Sequence, residues 1–502
     1  MKKILSKKTI SMLLASCVLA TSSAMLFSSC DVLDKLISGI NKDSSGEVPA
    51  DSYVVAQRHA APEEVYALTF PEITGENIMP VGSYSGPHAD DRNYHGQQLP
   101  SMVSDEYFKL YQEMGLNYFT ATLPSNSAKT KKFLELCDEY NMGAFISFPE
   151  LVGESVAPGV TTSTLENCLS MFDDYKSVIG FYLRDEPGIK EIKALKNTTD
   201  CLADSRYAGV KYAYGNALPD YAPKSYMWND PEVPQGNWEA YLRYYCENLN
   251  LEYLSFDFYP WHINPNTGDE VYNSGYIKAL SISRKVANEF KIPVWSCKQC
   301  GSIFEYVPKD KLKIMPDENK FRWQMSIDLA YGVKGLTYFL LCGDALGPHE
   351  SVWEEGIDDY FGIFNAYTGQ PNIWFDYIKE FDKHLTKVEK ILMQSYHDGI
   401  IINGAVKERQ SIGDELIADG KYHELESITG DTSLTGCYNY NGKTVLYVTN
   451  NSYSKDAAVT LNFKDNYGYT VIQKDKQTDK AGKTLNLNLL PGEGAMVVLK
   501  YS

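Results

Sequence analysis

Eight short apolar runs, each followed by a stretch with helical periodicity, constrain the fold of this 502-residue chain more than any other feature. We predict strands at Ile78–Tyr84, Leu116–Ala121, Gly143–Phe148, Val178–Leu183, Lys211–Tyr214, Tyr253–Phe258, Val294–Cys297 and Gly335–Leu340. Amphipathic helices fit around them, for example at Ser104–Glu113, Lys129–Tyr140, Thr164–Tyr175, Trp238–Asn248, Tyr276–Phe290, Phe321–Tyr331 and Trp374–Leu392. Eight strand–helix units over about 330 residues predict an α/β fold, a (β/α)8 TIM barrel over residues 62–395. A doubly wound sheet is the alternative, although no G-x-G-x-x-G follows the first run.

The pattern changes after residue 395, where helical periodicity disappears. Asn441-Gly442 separates Cys437–Tyr440 from Thr444–Thr449, which is typical of a tight hairpin. Alternating runs follow at Ala457–Leu461, Tyr469–Gln473, Thr484–Leu489 and Gly494–Leu499. Residues 396–502 therefore predict a small C-terminal antiparallel β-sandwich.

The N-terminus has the order of an export signal: lysines first, then an apolar stretch over Ile10–Phe27, then small residues before Cys30. Ser28-Ser29-Cys30 resembles the lipobox of bacterial lipoproteins, which implies a signal peptide over 1–29 and lipidation of Cys30. Cys17, after Leu14-Ala15-Ser16, is an alternative that would leave a very short apolar region, and an uncleaved membrane anchor is another. Residues 30–61 are polar and predict a flexible tether. We therefore expect an exported protein, lipid-anchored to the bacterial cell envelope.

Charge and cysteine usage narrow the class of function. The chain has 65 acidic against 47 basic residues and a net charge of −18, a balance that argues against nucleic-acid binding. Its cysteines beyond Cys30 are scattered singly, apart from Cys297-x-x-Cys300, and no second pair or suitably spaced histidine completes a zinc motif. We predict neither a metal nor a cofactor.

Polar and aromatic residues follow the predicted strands, at the end of a barrel where catalytic groups project. The candidates for binding substrate are Tyr84, Asp185, Asn216, Tyr259, Trp261, Gln299, Tyr338, Asp344 and Trp353, and the candidates for catalysis are Glu186 and Asp257. Sugar chemistry requires such a mixture: two carboxyl groups for bond cleavage, amides and acids for hydroxyls, and rings for the apolar face of a pyranose.

The segment from Gly180 to Pro187, Gly-Phe-Tyr-Leu-Arg-Asp-Glu-Pro, is the most specific motif. The chain resembles clan A glycoside hydrolases and the broader β-galactosidase-like barrels, in which the acid/base Glu follows an Asn or Asp at the end of strand four. The resemblance implies that Asp185 takes the Asn position and Glu186 is the general acid/base. An isolated Glu, with a pKa of about 4.3, is ionised at neutral pH and cannot donate, so burial and the Asp185 charge would have to raise the pKa of Glu186. If the two residues have no catalytic role, Asp185-Glu186 is a solvated acidic turn before a helix, stabilised by the helix dipole.

The departure from this family lies on strand seven, where clan A enzymes carry a nucleophilic Glu. Here Gln299 occupies or neighbours that position, and an amide cannot form the glycosyl ester. Three interpretations stay open: a partner carboxylate from elsewhere, an inverting mechanism with a wider carboxyl gap, or a barrel that binds glycan without cleaving it. Among the partner candidates Asp257, Glu305 and Asp344, we favour Asp257 because it ends an apolar strand and precedes Tyr259.

The sequence thus predicts a glycoside hydrolase that acts on a poly- or oligosaccharide at the cell envelope. The alternative is a non-catalytic glycan-binding lipoprotein with a glycosidase-like barrel.

Overall fold

The computed structural model describes residues 52–88, 93–94, 97–98, 100–124, 128–264, 267, 269–301, 317–342, 362–365, 368–404 and 412–501. Three predictions that matter for the site, Glu305, Asp344 and Trp353, lie outside these residues, as does the lipidation candidate Cys30. The described residues form two structural parts, a parallel β-barrel ringed by helices and an antiparallel C-terminal domain.

Eight parallel strands form the barrel and confirm the predicted TIM-barrel fold. They are β1 (Val81–Ser83), β2 (Tyr118–Pro124), β3 (Gly143–Ser147), β4 (Val178–Asp185), β5 (Tyr212–Asn216), β6 (Leu254–Asp257), β7 (Val294–Gln299) and β8 (Leu336–Phe339). The hydrogen-bonded order is β5-β4-β3-β2-β1-β8-β7-β6. The two end strands meet through a parallel bridge between Ala217 and Phe256, with the Ala217 N–H 2.9 Å from the Ser255 carbonyl oxygen, so the sheet nearly closes on itself.

In the described residues, one helix of nine residues or more follows each strand, and together these helices cover the outside of the barrel. They are α1 (Asp105–Glu113), α2 (Ala128–Tyr140), α3 (Thr162–Ser170), α4 (Ile189–Ala203), α5 (Trp238–Leu249), α6 (Tyr276–Phe290), α7 (Glu318–Ala330) and α8 (Ile373–Met393). Polar side chains begin several of them: Asn237 caps α5, Asp317 caps α7 and Asn372 caps α8, each accepting a backbone N–H of the first turn.

Aromatic side chains fill the barrel interior towards its N-terminal end. The Tyr253 and Trp295 rings stack at 4.1 Å, Tyr118 packs 5.5 Å from Trp295, and Phe70 covers this layer from the segment before β1. Because these rings are buried and occupy the barrel axis, a ligand can reach the strands only from their C-terminal ends.

The C-terminal domain is the predicted antiparallel β-sandwich. Its strands are β9 (Tyr396–Asn403), β10 (Leu425–Gly430), β11 (Ser433–Tyr440), β12 (Lys443–Asn450), β13 (Ala457–Gln473), β14 (Lys476–Leu489) and β15 (Gly494–Leu499), in the order β9-β11-β12-β15-β13-β10 with β14 also on β13. The β11–β12 hairpin turns at Asn441-Gly442, where both φ angles are positive, as the sequence predicts.

Two sequence expectations differ from this architecture. Residues 30–61 were predicted as a tether, but the described part of that segment pairs with the C-terminal domain: the Val54 N–H donates to the Asn466 carbonyl and the Ala56 N–H to the Lys500 carbonyl. The predicted runs Ala457–Leu461 and Tyr469–Gln473 are one strand, β13, with a register irregularity between them. In the part of the chain that the structure describes, no helix combines the length and apolarity needed to cross a bilayer.

Candidate active site

Asn216, at the end of β5, joins the carboxyl groups that end the neighbouring strands. Its Nδ2 donates to Asp185 Oδ1 at 3.2 Å on one side and to Asp257 Oδ1 at 3.3 Å on the other. The Ser255 hydroxyl donates to Asn216 Oδ1 at 2.7 Å and so fixes which end of the amide faces the acids. Three adjacent strands thereby hold two carboxyl groups at one place on the barrel mouth.

Aromatic side chains form the wall beside these acids. The Tyr84 hydroxyl donates to Asp185 Oδ2 at 2.9 Å and lies 3.2 Å from the Tyr182 hydroxyl. Phe339, at the end of β8, packs between Tyr84 and Tyr259, with ring centroids 5.4 and 5.2 Å away. The result is a ring-lined surface next to carboxyl oxygens.

Glu186 places a third carboxyl group in this cluster, in direct hydrogen-bonding contact with the Asp257 carboxyl. Its backbone has a φ of 48°, in the left-handed region that a non-glycine residue adopts at a cost of order 1–3 kcal/mol. A 2.8 Å bond from the Glu186 N–H to the Asn216 carbonyl holds this conformation. The turn after β4 is therefore held in a conformation that points Glu186 at Asp257. We name the three groups Asp185, Glu186 and Asp257 the carboxyl cluster.

Burial raises the pKa of every member of the carboxyl cluster. For Asp185 burial and then the Glu186 charge raise the pKa to about 7, against the opposing hydrogen bonds from Tyr84 and Asn216. For Asp257 burial and the charges of its two neighbours raise the pKa well above its ordinary value. For Glu186 burial raises the pKa, while the hydrogen bond with Asp257 lowers it.

No cation neutralises the carboxyl cluster through an ion pair within the ranges described above. Arg184, its neighbour in sequence, is directed to Glu191, 2.6 Å away. Since Glu186 and Asp257 interact directly, their protons leave in two steps that belong to the pair and to neither residue alone.

Gln299 lies at the end of β7, buried, with its amide committed to the backbone. Its Nε2 donates to the carbonyls of Trp261 (2.8 Å) and Gly301 (2.9 Å), and its Oε1 accepts the Trp261 N–H at 3.1 Å. Gln299 thus fixes the loop after β6.

Two of the predicted substrate-binding residues lie away from the mouth, and the structure corrects both. Tyr338 packs on the outside of the barrel, 6.2 Å from Phe321 of α7, because side chains alternate along β8 and its neighbour Phe339 takes the inward position. Trp261 is fully buried, edge-on to Tyr453 at 4.7 Å, so no face of its indole is open to a sugar.

The structure also adds residues that sequence reasoning missed. Tyr182 precedes Asp185 on the same strand, and Tyr221, 41% exposed, accepts the Tyr259 N–H at 3.4 Å. Ser255 has the same inward parity as Asp257, two residues on, which is the signal that could have identified it. No comparable pattern marks Tyr221, which lies in a loop.

Comparisons with known proteins show similarity in architecture only. No protein-family model matches the chain, and no curated protein does. Among solved structures, an α-amylase from Anoxybacillus is 11% identical, over 87% of this chain and 99% of that one, with a TM-score of 0.45. Saccharomyces cerevisiae Gas2p, in complex with laminaritriose and laminaritetraose, is 12% identical, over 64% of this chain and 67% of that one, with a TM-score of 0.39. Such values concern the fold alone, which the strand order establishes by itself.

Proposed function

We propose that this protein is a glycoside hydrolase in which Glu186 and Asp257 are the reacting carboxyl groups. The observation that carries the proposal is their direct contact at the C-terminal ends of β4 and β6, within a ring-lined mouth. Hydrolysis of a glycosidic bond requires one protonated and one ionised carboxyl group, and a pair that shares one proton supplies both.

The contact between the two groups favours a retaining mechanism. Inverting enzymes hold their carboxyl groups about 6.5–9.5 Å apart to admit a water molecule, whereas retaining enzymes need only about 5–5.5 Å. As a sugar enters, the pair separates and the shared proton moves to Glu186, which lies nearer to solvent. Glu186 then protonates the leaving oxygen while Asp257 Oδ forms a bond to the anomeric carbon. Water, deprotonated by Glu186, releases the sugar and returns the proton.

The substitutions Glu186→Gln and Asp257→Asn test these roles. Each should lower kcat/KM by about 10³-fold or more, equivalent to about 4 kcal/mol of transition-state stabilisation. The measurement is release of reducing ends from a panel of neutral oligosaccharides. Glu252→Gln is the matched control, since Glu252 precedes β6 at the opposite end of the barrel. Unchanged turnover in Glu186→Gln would remove the proposed acid.

Azide separates the two roles. In a retaining enzyme it should restore turnover of Asp257→Ala by attacking the anomeric carbon directly, giving a glycosyl azide of inverted configuration. In Glu186→Ala it should instead attack the glycosyl ester and give the retained configuration. The two products of opposite configuration are distinguished by proton NMR, and identical products would contradict the assignment.

A second candidate, glycan binding without cleavage, is favoured by Gln299. The resemblance to clan A enzymes places a nucleophilic Glu at this strand end, and here a buried amide is bonded to backbone instead. If the protein only binds glycan, an oligosaccharide should bind to it in calorimetric titration and no reducing ends should be released after long incubation. Turnover that depends on Glu186 would reject it.

We also propose that the protein is exported and lipid-anchored at the bacterial cell envelope through Cys30, where its carbohydrate substrate would lie. The support is the lysine-rich start, the apolar stretch and the small residues before Cys30. Cells that express the full chain should incorporate labelled palmitate into it, and Cys30→Ser should abolish the label. Loss of label in Cys17→Ser alone would move the anchor to the alternative site.

A further inference from the structure

We propose that a cleft between the barrel and the C-terminal domain binds one neutral hexopyranose unit of a glycan, separately from the barrel mouth. The cleft lies between the outer faces of α7 and α8 and the turn that leads into β15. Its cavity volume is about 120 Å³, and it is open to solvent on one side. We name it the interdomain cleft.

The floor of the interdomain cleft is apolar. Phe321 of α7 and Phe381 of α8 are buried beneath it, and Tyr377 of α8 lies half-buried with its ring 6.2 Å from Phe321. Leu490 on the opposite side is 39% exposed. The accessible part of the Tyr377 ring, beside the exposed Leu490 side chain, offers a platform for the C–H face of a pyranose.

Glu493 supplies an unmet hydrogen-bond acceptor in the same cleft. The side chain is 3% exposed, and its Oε2 accepts the Leu490 N–H at 2.7 Å, which fixes its orientation. Its Oε1 is buried and accepts no hydrogen bond from any side chain or backbone group in the described ranges. A buried carboxylate oxygen without a donor is destabilising, and a ligand hydroxyl that donates to it would recover that free energy.

The charges around the cleft disfavour an anionic ligand. Arg322 and Glu318 pair at 2.7 Å on one rim, while Glu380 and Lys474 line other parts of it. With Glu493 included, acidic side chains outnumber basic ones in the lining, so a uronate is repelled.

His384 adds no positive charge. Burial lowers its pKa to about 4, and the neutral ring is satisfied on both sides: Nδ1 lies 3.0 Å from the Lys474 carbonyl and Nε2 2.9 Å from the Tyr447 hydroxyl. Besides the charged side chains on the rim, the cleft therefore offers a ligand the Tyr377 ring and the Glu493 carboxylate, groups that can contact a neutral sugar.

Calorimetric titration of the full chain, carrying Glu186→Gln to prevent turnover, tests the proposal. The probes are neutral hexasaccharides of β-1,3-, β-1,4- and α-1,4-linked glucose and of β-1,4-linked galactose, with hexagalacturonate as the charged comparison. Tyr377→Ala removes the ring platform, and Glu493→Gln keeps an acceptor for the Leu490 N–H while placing an amide donor in the cleft. Tyr244→Ala, at a half-buried tyrosine on α5, is the control.

We expect at least one neutral hexasaccharide to bind, with a component of its isotherm that each cleft variant weakens tenfold or more and the control leaves unchanged, while binding at the mouth is the same in all variants. The absence of any component that responds to the cleft variants, or stronger cleft-dependent binding of hexagalacturonate, would overturn the proposal. The result is independent of the mechanism at the mouth, because cleft binding without turnover would remove only the hydrolase assignment.

Discussion

The ionisation of Asp185 makes the free energy of unfolding depend on pH. Its pKa rises from 3.8 to about 7 on folding, so between those pH values the folded chain holds a proton that the unfolded chain has lost. The contribution of Asp185 to the free energy of unfolding therefore falls as pH rises from about 4 to about 7, by up to about 4 kcal/mol, and is constant above that window.

Asp185→Asn should remove this dependence. The amide is neutral at every pH, and the Tyr84 hydroxyl can rotate to accept its N–H, so the variant should melt at a higher temperature than the wild type at pH 8 and at the same temperature at pH 4. Thermal melts across this range measure the effect, with the exposed Asp376→Asn as the control. A parallel offset between variant and wild type at all pH values would contradict the assigned cause.

The direction in which a side chain points at the end of a strand does not follow from the sequence alone. Alternation along β8 makes either Tyr338 or Phe339 the inward residue, and only the strand's register against β1 decides between them. The sequence likewise allows Trp261 either to stack on a sugar or to be buried. The burial depends on Tyr453, almost two hundred residues later in the chain, which packs on its ring. The acids were easier to place because their strands run directly into them.

At the scale of elements, Lys298 shows how β7 is held against the helices. Its ammonium is fully buried, donates to the Tyr276 hydroxyl at 2.6 Å and forms an ion pair with Asp328 of α7. Lys298→Met leaves the Asp328 charge without its partner, so we expect a loss of about 3–5 kcal/mol in the free energy of unfolding. Adding Asp328→Asn removes the stranded charge and should recover most of that loss, as measured by urea unfolding. A double variant as unstable as the single one would show that the ammonium matters for packing instead.

The hairpin at Asn441-Gly442 supports the N-terminal segment as well as its own strands. Gly442 has a φ of 80°, and a Cβ added there would lie 2.4 Å from the His59 carbonyl oxygen, whose own N–H donates to the Gly442 carbonyl. Gly420, with a φ of 68°, has no atom within 4 Å of an added Cβ. Gly420→Ala should thus cost only the backbone term, about 1–2 kcal/mol.

Gly442→Ala should cost more than Gly420→Ala and should also release residues 52–61 to limited proteolysis. Equal melting temperatures and equal cleavage in the two variants would show that the contact with His59 contributes nothing. Both strands of this hairpin follow from the sequence, whereas the pairing of residues 52–61 does not, because that segment shows no alternation of apolar and polar residues.

At the scale of the molecule, α7 makes the barrel and the C-terminal domain one structure. Trp323 Nε1 donates to Asn451 Oδ1 at 3.2 Å, and Tyr453 lies against both Trp323 and Trp261. Trp261 belongs to the loop that follows Asp257, and Gln299 holds its backbone. Through Tyr453 the C-terminal domain therefore contacts this loop.

A second set of contacts joins the two parts at the other end of α7. His397 Nε2 lies 2.9 Å from the Ala330 carbonyl, and Arg284 of α6 lies 3.6 Å from Glu415. Burial, then the Arg284 charge, lowers the pKa of His397, so it contributes as a neutral ring at physiological pH.

The two parts should therefore unfold together. We expect one calorimetric transition with a van't Hoff enthalpy close to the measured enthalpy, since separating them would expose Trp323 and leave buried polar groups without partners. A chain that ends at residue 395 should aggregate for the same reason.

Tyr453→Ala, a milder change, should lower the melting temperature and also weaken turnover, because the loop after Asp257 loses the ring that packs on Trp261. Tyr244→Ala on α5 is the control. Two resolved transitions, or a soluble and active 52–395 fragment, would show that the barrel supports its own mouth and that the C-terminal domain is an accessory.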